Sequence, residues 1–226
     1  MFEAINVAIS EVSMMTYWEL FAVILAVVYL LLAMKTNIWC WLAAFVSTAI
    51  YTVLFWKVSL LMESVLNIYY MGMALYGYWL WQQDGQPIPT QQGVPSKNIQ
   101  SSSQLGPMVL SWSLNAHLIL ISITALISLG VGYLMANYTQ ASFPYLDAAT
   151  TCFAVMTTYL VAKKVLENWL YWIVIDLVSM YLYFQKGLML TTGLFMAYVL
   201  MAGMGYVMWR KRLESQTQHT GELAVR

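Results

Sequence analysis

The sequence predicts an all-α membrane protein with seven transmembrane helices in a 3+1+3 arrangement, that is, two parallel three-helix repeats plus a linking helix. Three observations predict this fold. Of the 226 residues, 61% are hydrophobic and only 9% are charged, about a third of the charged share of a soluble domain. Seven apolar segments have the length needed to cross a bilayer. The segments before the fourth one also resemble the segments after it.

The seven spans follow from apolar runs, each of which needs about 17–25 residues to cross a bilayer. Only Lys57 and Val58 separate the second span from the third, and only Lys186 and Gly187 separate the sixth from the seventh. Each pair is divided because one helix of that combined length would be too long for a membrane. The predicted spans are 17–35, 38–56, 59–81, 113–136, 145–162, 169–185 and 188–209.

Polar segments divide these spans into domains. Residues 1–16 contain no Lys or Arg, so we do not expect a cleaved signal peptide, which needs a positive first region. Residues 82–107 are rich in Gln, Ser, Pro and Gly, which is typical of a solvated linker. The predicted domains are an N-terminal segment 1–16, a first three-helix bundle 17–81, a polar linker 82–112, a linking transmembrane helix 113–136, a second three-helix bundle 145–209 and a cytoplasmic tail 210–226.

Lys and Arg are distributed unequally between the two sides of the membrane. With seven spans, Lys57 and Lys186 lie on the side of the N-terminus, and the other eight basic residues lie on the opposite side. Cytoplasmic loops carry an excess of Lys and Arg. We therefore expect a multi-pass protein of a bacterial inner membrane, with its N-terminus outside and its C-terminus in the cytoplasm.

The sequence contains an internal repeat, with one copy in each half of the chain. Aligning Trp39 with Trp169 also aligns Trp79 with Trp209. Shifting this alignment by one residue aligns Trp41 with Trp172. Residues 37–81 thus resemble residues 168–209. Three spans reverse the side on which the chain lies, so the extra helix 113–136 restores a parallel orientation. Repeats of this kind are typical of transporters, with a substrate site between them near the midplane.

Several function classes fit the sequence poorly. Equal numbers of acidic and basic residues argue against nucleic acid as a partner, since phosphate recognition needs a basic face. Cys40 and Cys152 lack metal-ligand spacing, and we expect no metal and no cofactor. A retinal photoreceptor would need a lysine in mid-membrane, and every lysine lies near a span end. An intramembrane enzyme, with Asp147 and Asp176 as an acid pair, and a receptor remain the alternatives from other classes.

Two spans carry polar groups on one helical face. At about 100° per residue, Glu63, Asn67 and Tyr70 share a face of the third span. Asn168, Trp172 and Asp176 form a stripe on the sixth span, and Tyr183 continues it. An ionisable group near the bilayer centre costs about 2.5–3.5 kcal/mol, so it must face a cavity, a partner or water.

The two stripes predict a substrate site for a flat, cationic ligand that carries hydroxyl groups. Aromatic faces attract a cation, carboxylates add charge attraction, and amides recognise hydroxyl groups or a carboxamide. A structural interpretation stands beside this one, in which the carboxylates form interhelical hydrogen bonds and the aromatic rings serve packing. Trp79, Trp81 and Trp209, at span ends, are predicted to lie in the interfacial belt.

Three motifs resemble those of the PnuC family of vitamin transporters. Residues 167–172, followed by Asp176, are similar to the E-N-W-x-x-W-x-x-x-[ND] signature of that family. Residues 143–147 resemble its F-P-[FYW]-x-D motif, and residues 76–81 resemble its Y-G-W-Y-x-W motif. Together these resemblances cover about residues 17–212.

The resemblance implies a carrier related to the SWEET transporters that moves nicotinamide riboside by facilitated diffusion, with a cytoplasmic kinase that traps the product. It implies that Trp172 and Asp176 contact the substrate, with Asn168 and Asn67 as amides of the site. It further implies a homo-oligomer, a trimer, in contact with membrane lipid. Related subfamilies carry thiamine, riboflavin or deoxynucleosides, and thiamine is the alternative substrate because it is also cationic.

Overall fold

A computed structural model describes residues 17–57, 61–83 and 108–224, and within these ranges the chain is almost entirely helical. The predicted N-terminal segment and most of the predicted linker lie outside the described residues. The helices are α1 (Tyr17–Met34), α2 (Cys40–Lys57), α3 (Leu61–Gln83), α4 (Leu114–Tyr138), α5 (Pro144–Ala162), α6 (Asn168–Gln185) and α7 (Met189–Ala224).

Each predicted span corresponds to one helix, and all but one of them agree closely at both ends. The exception is the seventh, because α7 continues through the predicted tail to Ala224. An ion pair between Arg210 and Glu214, one turn apart at 3.0 Å, supports this extension. By length and apolarity alone, α1, α2, α4 and the Thr191–Gln218 part of α7 qualify as membrane-crossing helices. The other three helices have a lower mean hydropathy.

The helices pack as a closed ring of six with one helix outside it. Within the first bundle, α2 packs between α1 and α3, and within the second, α6 packs between α5 and α7. The bundles meet at two seams, α3 against α5 and α1 against α7. Among the described helices, α4 packs mainly on α5, and its first turn also contacts α6 through His117 and Tyr171. This arrangement confirms the predicted 3+1+3 fold, with α4 as the linking helix.

The two bundles are structural repeats, but their register differs from the predicted one. Thr36 and Lys164 both have a positive φ, of 51° and 54°, and each lies at the start of the turn between the first two helices of its bundle. Matching these two turns aligns Trp41, and not Trp39, with Trp169. The predicted alignments are therefore wrong. In agreement with this, Trp39 is 58% exposed, whereas Trp41 and Trp169 are both buried.

Each bundle is held together by a tryptophan that packs on a glycine. In the first bundle, the indole ring of Trp41 lies so close to Gly77 that it leaves no room for a Cβ there. Trp41 also meets Trp81 edge to face, with ring centroids 5.4 Å apart. The second bundle repeats this arrangement at the equivalent positions, with Trp169, Gly205 and Trp209.

These contacts correct the predicted interfacial belt. Trp81 and Trp209 are buried within the protein, and of the three predicted belt residues only Trp79 is exposed. Sequence position near a span end is misleading here because both buried rings point at a neighbouring helix. Trp81 Nε1 donates to the carbonyl of Ala162, and Trp209 Nε1 donates to the carbonyl of Ala33.

Most of the basic residues gather at one end of the ring. There α1, α3 and α5 end, and a guanidinium nitrogen of Arg212 lies 3.4 Å from the carbonyl oxygen of Lys35. We call this the basic end, and its described members are Lys35, Lys163, Lys164, Arg210, Lys211 and Arg212.

Candidate functional site

A cavity of about 380 Å³ lies between the two bundles. Helices α1, α3, α5, α6 and α7 contribute lining residues, whereas α2 contributes none among the described residues. Its volume falls in the range of small-molecule sites, about 300–1,000 Å³. The cavity therefore occupies the position in which transporters with parallel repeats hold their substrate.

Aromatic residues are six of the sixteen described lining residues of the cavity, and most of the others are aliphatic. Besides the polar groups of its tyrosines and tryptophans, the wall carries the hydroxyl groups of Thr150 and Thr151 on α5 and of Ser179 on α6. It also carries one carboxyl group, that of Asp176. None of the described lining residues is basic. The aromatic lining residues are Tyr29, Tyr70, Trp169, Trp172, Phe195 and Tyr198.

Asp176 is the exceptional group of this wall. Its side chain is buried, at 5% exposure, and among the described residues no hydrogen bond or ion pair reaches it. A buried carboxylate costs several kcal/mol unless it is paired. Such a group is typical of a site whose partner arrives with a ligand.

The structure brings part of the predicted α6 stripe to the cavity. Trp172 and Asp176 line it, and Ser179 lies one turn beyond them. Asn168 is buried elsewhere, at the start of α6, where its amide donates to the carbonyl of Val165 at 2.6 Å. Its Oδ1 has no partner among the described residues. Asn168 therefore holds the turn between α5 and α6 in this structure, and its ligand contact stays a prediction.

Tyr183, the predicted continuation of the stripe, lies one layer behind the cavity. Its ring stacks on Phe195, with centroids 5.1 Å apart, and Phe195 lines the wall. The structure thus gives Tyr183 a supporting contact with the wall and leaves its direct contact with a ligand a prediction.

The α3 stripe is brought to the cavity only at Tyr70. Asn67, about one turn away, is buried, and its amide donates to the carbonyl of Glu63 within α3, at 2.9 Å. The Glu63 side chain is exposed, in the first turn of α3. The structure does not bring Glu63 together with Asp176, and the ligand roles of Glu63 and Asn67 stay predictions.

Sequence reasoning missed the contributions of α1 and α7. Tyr29 stands on α1, and Phe195 and Tyr198 stand on α7. One signal was available, because the register that matches Trp41 with Trp169 also matches Tyr70 with Tyr198. The correct repeat register would have identified these two tyrosines as equivalent residues on opposite walls.

Glu167 is the first residue of the E-N-W motif, and it is not among the described residues that line the cavity. Its carboxylate accepts hydrogen bonds from the hydroxyl of Ser111 and the backbone N–H of Trp112. It also lies 3.5 Å from Nε2 of His117, whose Nδ1 is 3.0 Å from the hydroxyl of Tyr171. Glu167 therefore connects the start of α4 to the turn between α5 and α6, and this contact gives it a structural role.

The chain is similar to a family model and to several known proteins. A family model described as Nicotinamide mononucleotide transporter matches residues 16–211. The nicotinamide riboside transporters PnuC of Escherichia coli (strain K12) and Shigella flexneri are each 20% identical over 151 residues. That alignment covers 63% of this chain and 63% of each relative, so it spans less than two thirds of the relatives' length.

A solved structure also shares the fold. The crystal structure of the vitamin B3 transporter PnuC superimposes with a TM-score of 0.67 and 16% identity. The match covers 88% of this chain and 83% of the other one.

Proposed function

Because the chain belongs to the Nicotinamide mononucleotide transporter family, we propose that it carries nicotinamide riboside across the membrane by facilitated diffusion. The chain is a multi-pass membrane protein, and the relatives it matches are named as transporters. The observation that carries the choice of substrate is the carboxyl group of Asp176, which has no partner among the described residues and lies in an aromatic cavity.

The positive charge of the nicotinamide ring supports this choice. Nicotinamide riboside carries that charge on a flat heteroaromatic ring, next to a ribose with free hydroxyl groups. In our proposal Trp172 stacks on the ring and Asp176 neutralises its charge, while the hydroxyl of Ser179 bonds to polar groups of the ligand. Each cation–π contact contributes about 0.5–2 kcal/mol, and a charge-assisted hydrogen bond is about twice as strong as a neutral one.

The absence of basic side chains from the described cavity wall favours the nucleoside over the mononucleotide of the family's description. A phosphate group would bring about two negative charges into a cavity where no described Lys, Arg or His receives them. It would also lie near Asp176, whose charge has the same sign. The desolvation of both anions would then oppose binding.

The proposed cycle needs no energy source within the protein. The substrate enters from the outer side, and a rocking movement of one bundle against the other opens the cavity to the inside. We propose that the basic end faces the cytoplasm of a bacterial cell, in accordance with the excess of positive charge there. A cytoplasmic kinase would phosphorylate the riboside, and the resulting anion would not re-enter the cavity.

Calorimetric titration of the detergent-purified protein tests the substrate. We expect nicotinamide riboside to bind and the mononucleotide to bind about tenfold more weakly or worse, because its phosphate is desolvated without a partner. Thiamine is the informative third ligand, since it is also a flat cation. Tight binding of thiamine alone would keep the site and overturn the substrate, and binding of none of the three would overturn the proposal.

A further inference from the structure

Four buried tryptophans fill the ring between the cavity and the basic end. They form a continuous chain, Trp41 to Trp81 to Trp209 to Trp169, with centroid distances of 5.4, 6.4 and 5.4 Å. The outer two contacts lie within the bundles, and the middle contact joins one bundle to the other. We call this set the tryptophan cluster. Trp169 also lines the cavity, so the cluster closes the cavity on the side of the basic end.

Two hydrogen bonds of this cluster cross the seams between the bundles. Trp81 on α3 donates to the carbonyl of Ala162, the last residue of α5, at 3.0 Å. Trp209 on α7 donates to the carbonyl of Ala33 near the end of α1, at 3.1 Å. Each bundle thus offers one indole donor from its third helix and one carbonyl acceptor from its first helix.

Both acceptors stand just before a strained turn. Thr36 and Lys164, which follow the acceptors closely in sequence, are not glycines although φ is positive at both. A side chain in that conformation is sterically disfavoured. Strain at equivalent positions in both bundles marks these turns as points where the first helices can pivot.

We propose that Trp81 and Trp209 are the gate residues of the inner side, and that their two hydrogen bonds form a reciprocal latch between the bundles. A substrate that leaves toward the basic end must part the seams, and parting them breaks both bonds. Trp169, shared by the cavity and the cluster, transmits occupancy of the cavity to the latch. This inference rests on the proposed carrier function but not on the identity of the substrate.

The chain contains its own reporter for the latch. Cys40 is fully buried in the core that includes Trp41, Trp81 and Trp209, and replacing Cys152 by Ser leaves it as the only thiol in the sequence. The experiment measures the rate at which a membrane-impermeant maleimide labels Cys40 in sealed vesicles. The reagent is applied either on the side of the basic end or on the opposite side.

The test variants are Trp81→Phe and Trp209→Phe, which remove one indole N–H each and keep an aromatic ring. The matched control is Trp79→Phe, an exposed tryptophan on the same helix as Trp81. One net hydrogen bond of about 1 kcal/mol corresponds to about a fivefold shift in an equilibrium. We expect labelling from the basic end to rise about fivefold in each variant and roughly 25-fold in the double variant.

Several outcomes would overturn the latch. They are an unchanged labelling rate in both variants, an equal rise in Trp79→Phe, and an equal rise from the opposite side, which would indicate general loosening of the bundle. A melting temperature in detergent within about 4 °C of the parent, the shift expected for one lost hydrogen bond in a chain of this size, supports a gating effect, and a larger drop contradicts it. Because no substrate is present, failure of the riboside to bind would leave this result interpretable.

Discussion

Helices α2 and α6 occupy equivalent places in the two bundles and carry different chemistry. On α6, Trp172 and Asp176 line the cavity. The equivalent residues on α2 are Ala44 and Thr48, and no described residue of α2 lines the cavity. The same helix position thus places a carboxyl group in the cavity wall in one bundle and serves as a packing element in the other.

The hydroxyl groups on α2 bind backbone carbonyl groups of the first bundle. Ser47 donates to the carbonyl of Ala22 on α1, at 2.9 Å, and Thr48 donates to carbonyl oxygens of its own helix. By contrast, the described residues offer Asp176 on α6 no partner. The comparison teaches that the tryptophan–glycine contacts common to both bundles build the scaffold, whereas the carboxyl group of the cavity wall is found in one bundle alone.

The largest effect is expected when the charge of α6 is removed. Asp176→Asn keeps the shape of the side chain and should weaken the binding of nicotinamide riboside about 10- to 100-fold, because a charge-assisted contact contributes about 1.5–3 kcal/mol. Calorimetry with the charged riboside and with its neutral dihydro form measures the difference.

Asp147→Asn is the control for this change, since Asp147 lies on α5 outside the cavity wall and pairs with Lys186 at 3.3 Å. Equal losses for the charged and the neutral ligand would show that Asp176 does not act through its charge.

A second substitution replaces Trp172 on α6 by alanine, the residue at the equivalent position 44 of α2. Trp172→Ala should weaken riboside binding about tenfold or more, since stacking of a base on an aromatic ring contributes about 1–3 kcal/mol. Trp79→Ala, which removes an exposed indole, should change affinity by less than about twofold, as is usual for a surface substitution. If both variants bind equally weakly in the same titration, Trp172 is not part of the site.

The shared scaffold can be tested at its glycines. A Cβ at Gly205 would stand 2.7 Å from the ring of Trp169, whereas a Cβ at Gly203 meets nothing within 4 Å. Gly205→Ala should therefore lower the free energy of unfolding by about 1–3 kcal/mol, and Gly203→Ala should raise it by up to about 1 kcal/mol through helix propensity. Thermal unfolding in detergent compares them, and a similar melting temperature for both would contradict the packing.

The smallest effect concerns the turn after α1. At Thr36, where φ is 51°, glycine should be more stable than alanine by about 1 kcal/mol, because only glycine adopts this conformation without a steric cost. The pair Thr36→Gly and Thr36→Ala, compared by melting temperature, isolates this cost from the loss of the hydroxyl. Alanine at least as stable as glycine would contradict the assigned turn.

Hydropathy and charge predicted the fold because the bilayer fixes the length and composition of a span. The 3+1+3 arrangement was predicted from seven such spans and the repeat, although the predicted register of the repeat was wrong, and the closed ring of six helices is seen only in the structure. Trp172 and Asp176 were predictable as cavity residues for a related reason, since a carboxyl group within a span has to face something other than lipid.

The register of the repeat and the inward tryptophans were not predictable from composition. Trp and Tyr are so frequent here that alignments slightly out of register produce chance matches, and the turns at Thr36 and Lys164 contain no glycine to mark them. Whether an indole near a span end faces lipid or a neighbouring helix depends on which face of its helix the neighbour covers. That depends on packing between the bundles, which a single span does not reveal.

The most direct test of the account is counterflow of labelled nicotinamide riboside in proteoliposomes, with no ion gradient. We expect unlabelled riboside inside the vesicles to accelerate uptake, the mononucleotide to have no effect, and Asp176→Asn to abolish the acceleration. Uptake that requires a proton gradient, or counterflow that persists unchanged in Asp176→Asn, would contradict a facilitated carrier whose site is built on α6.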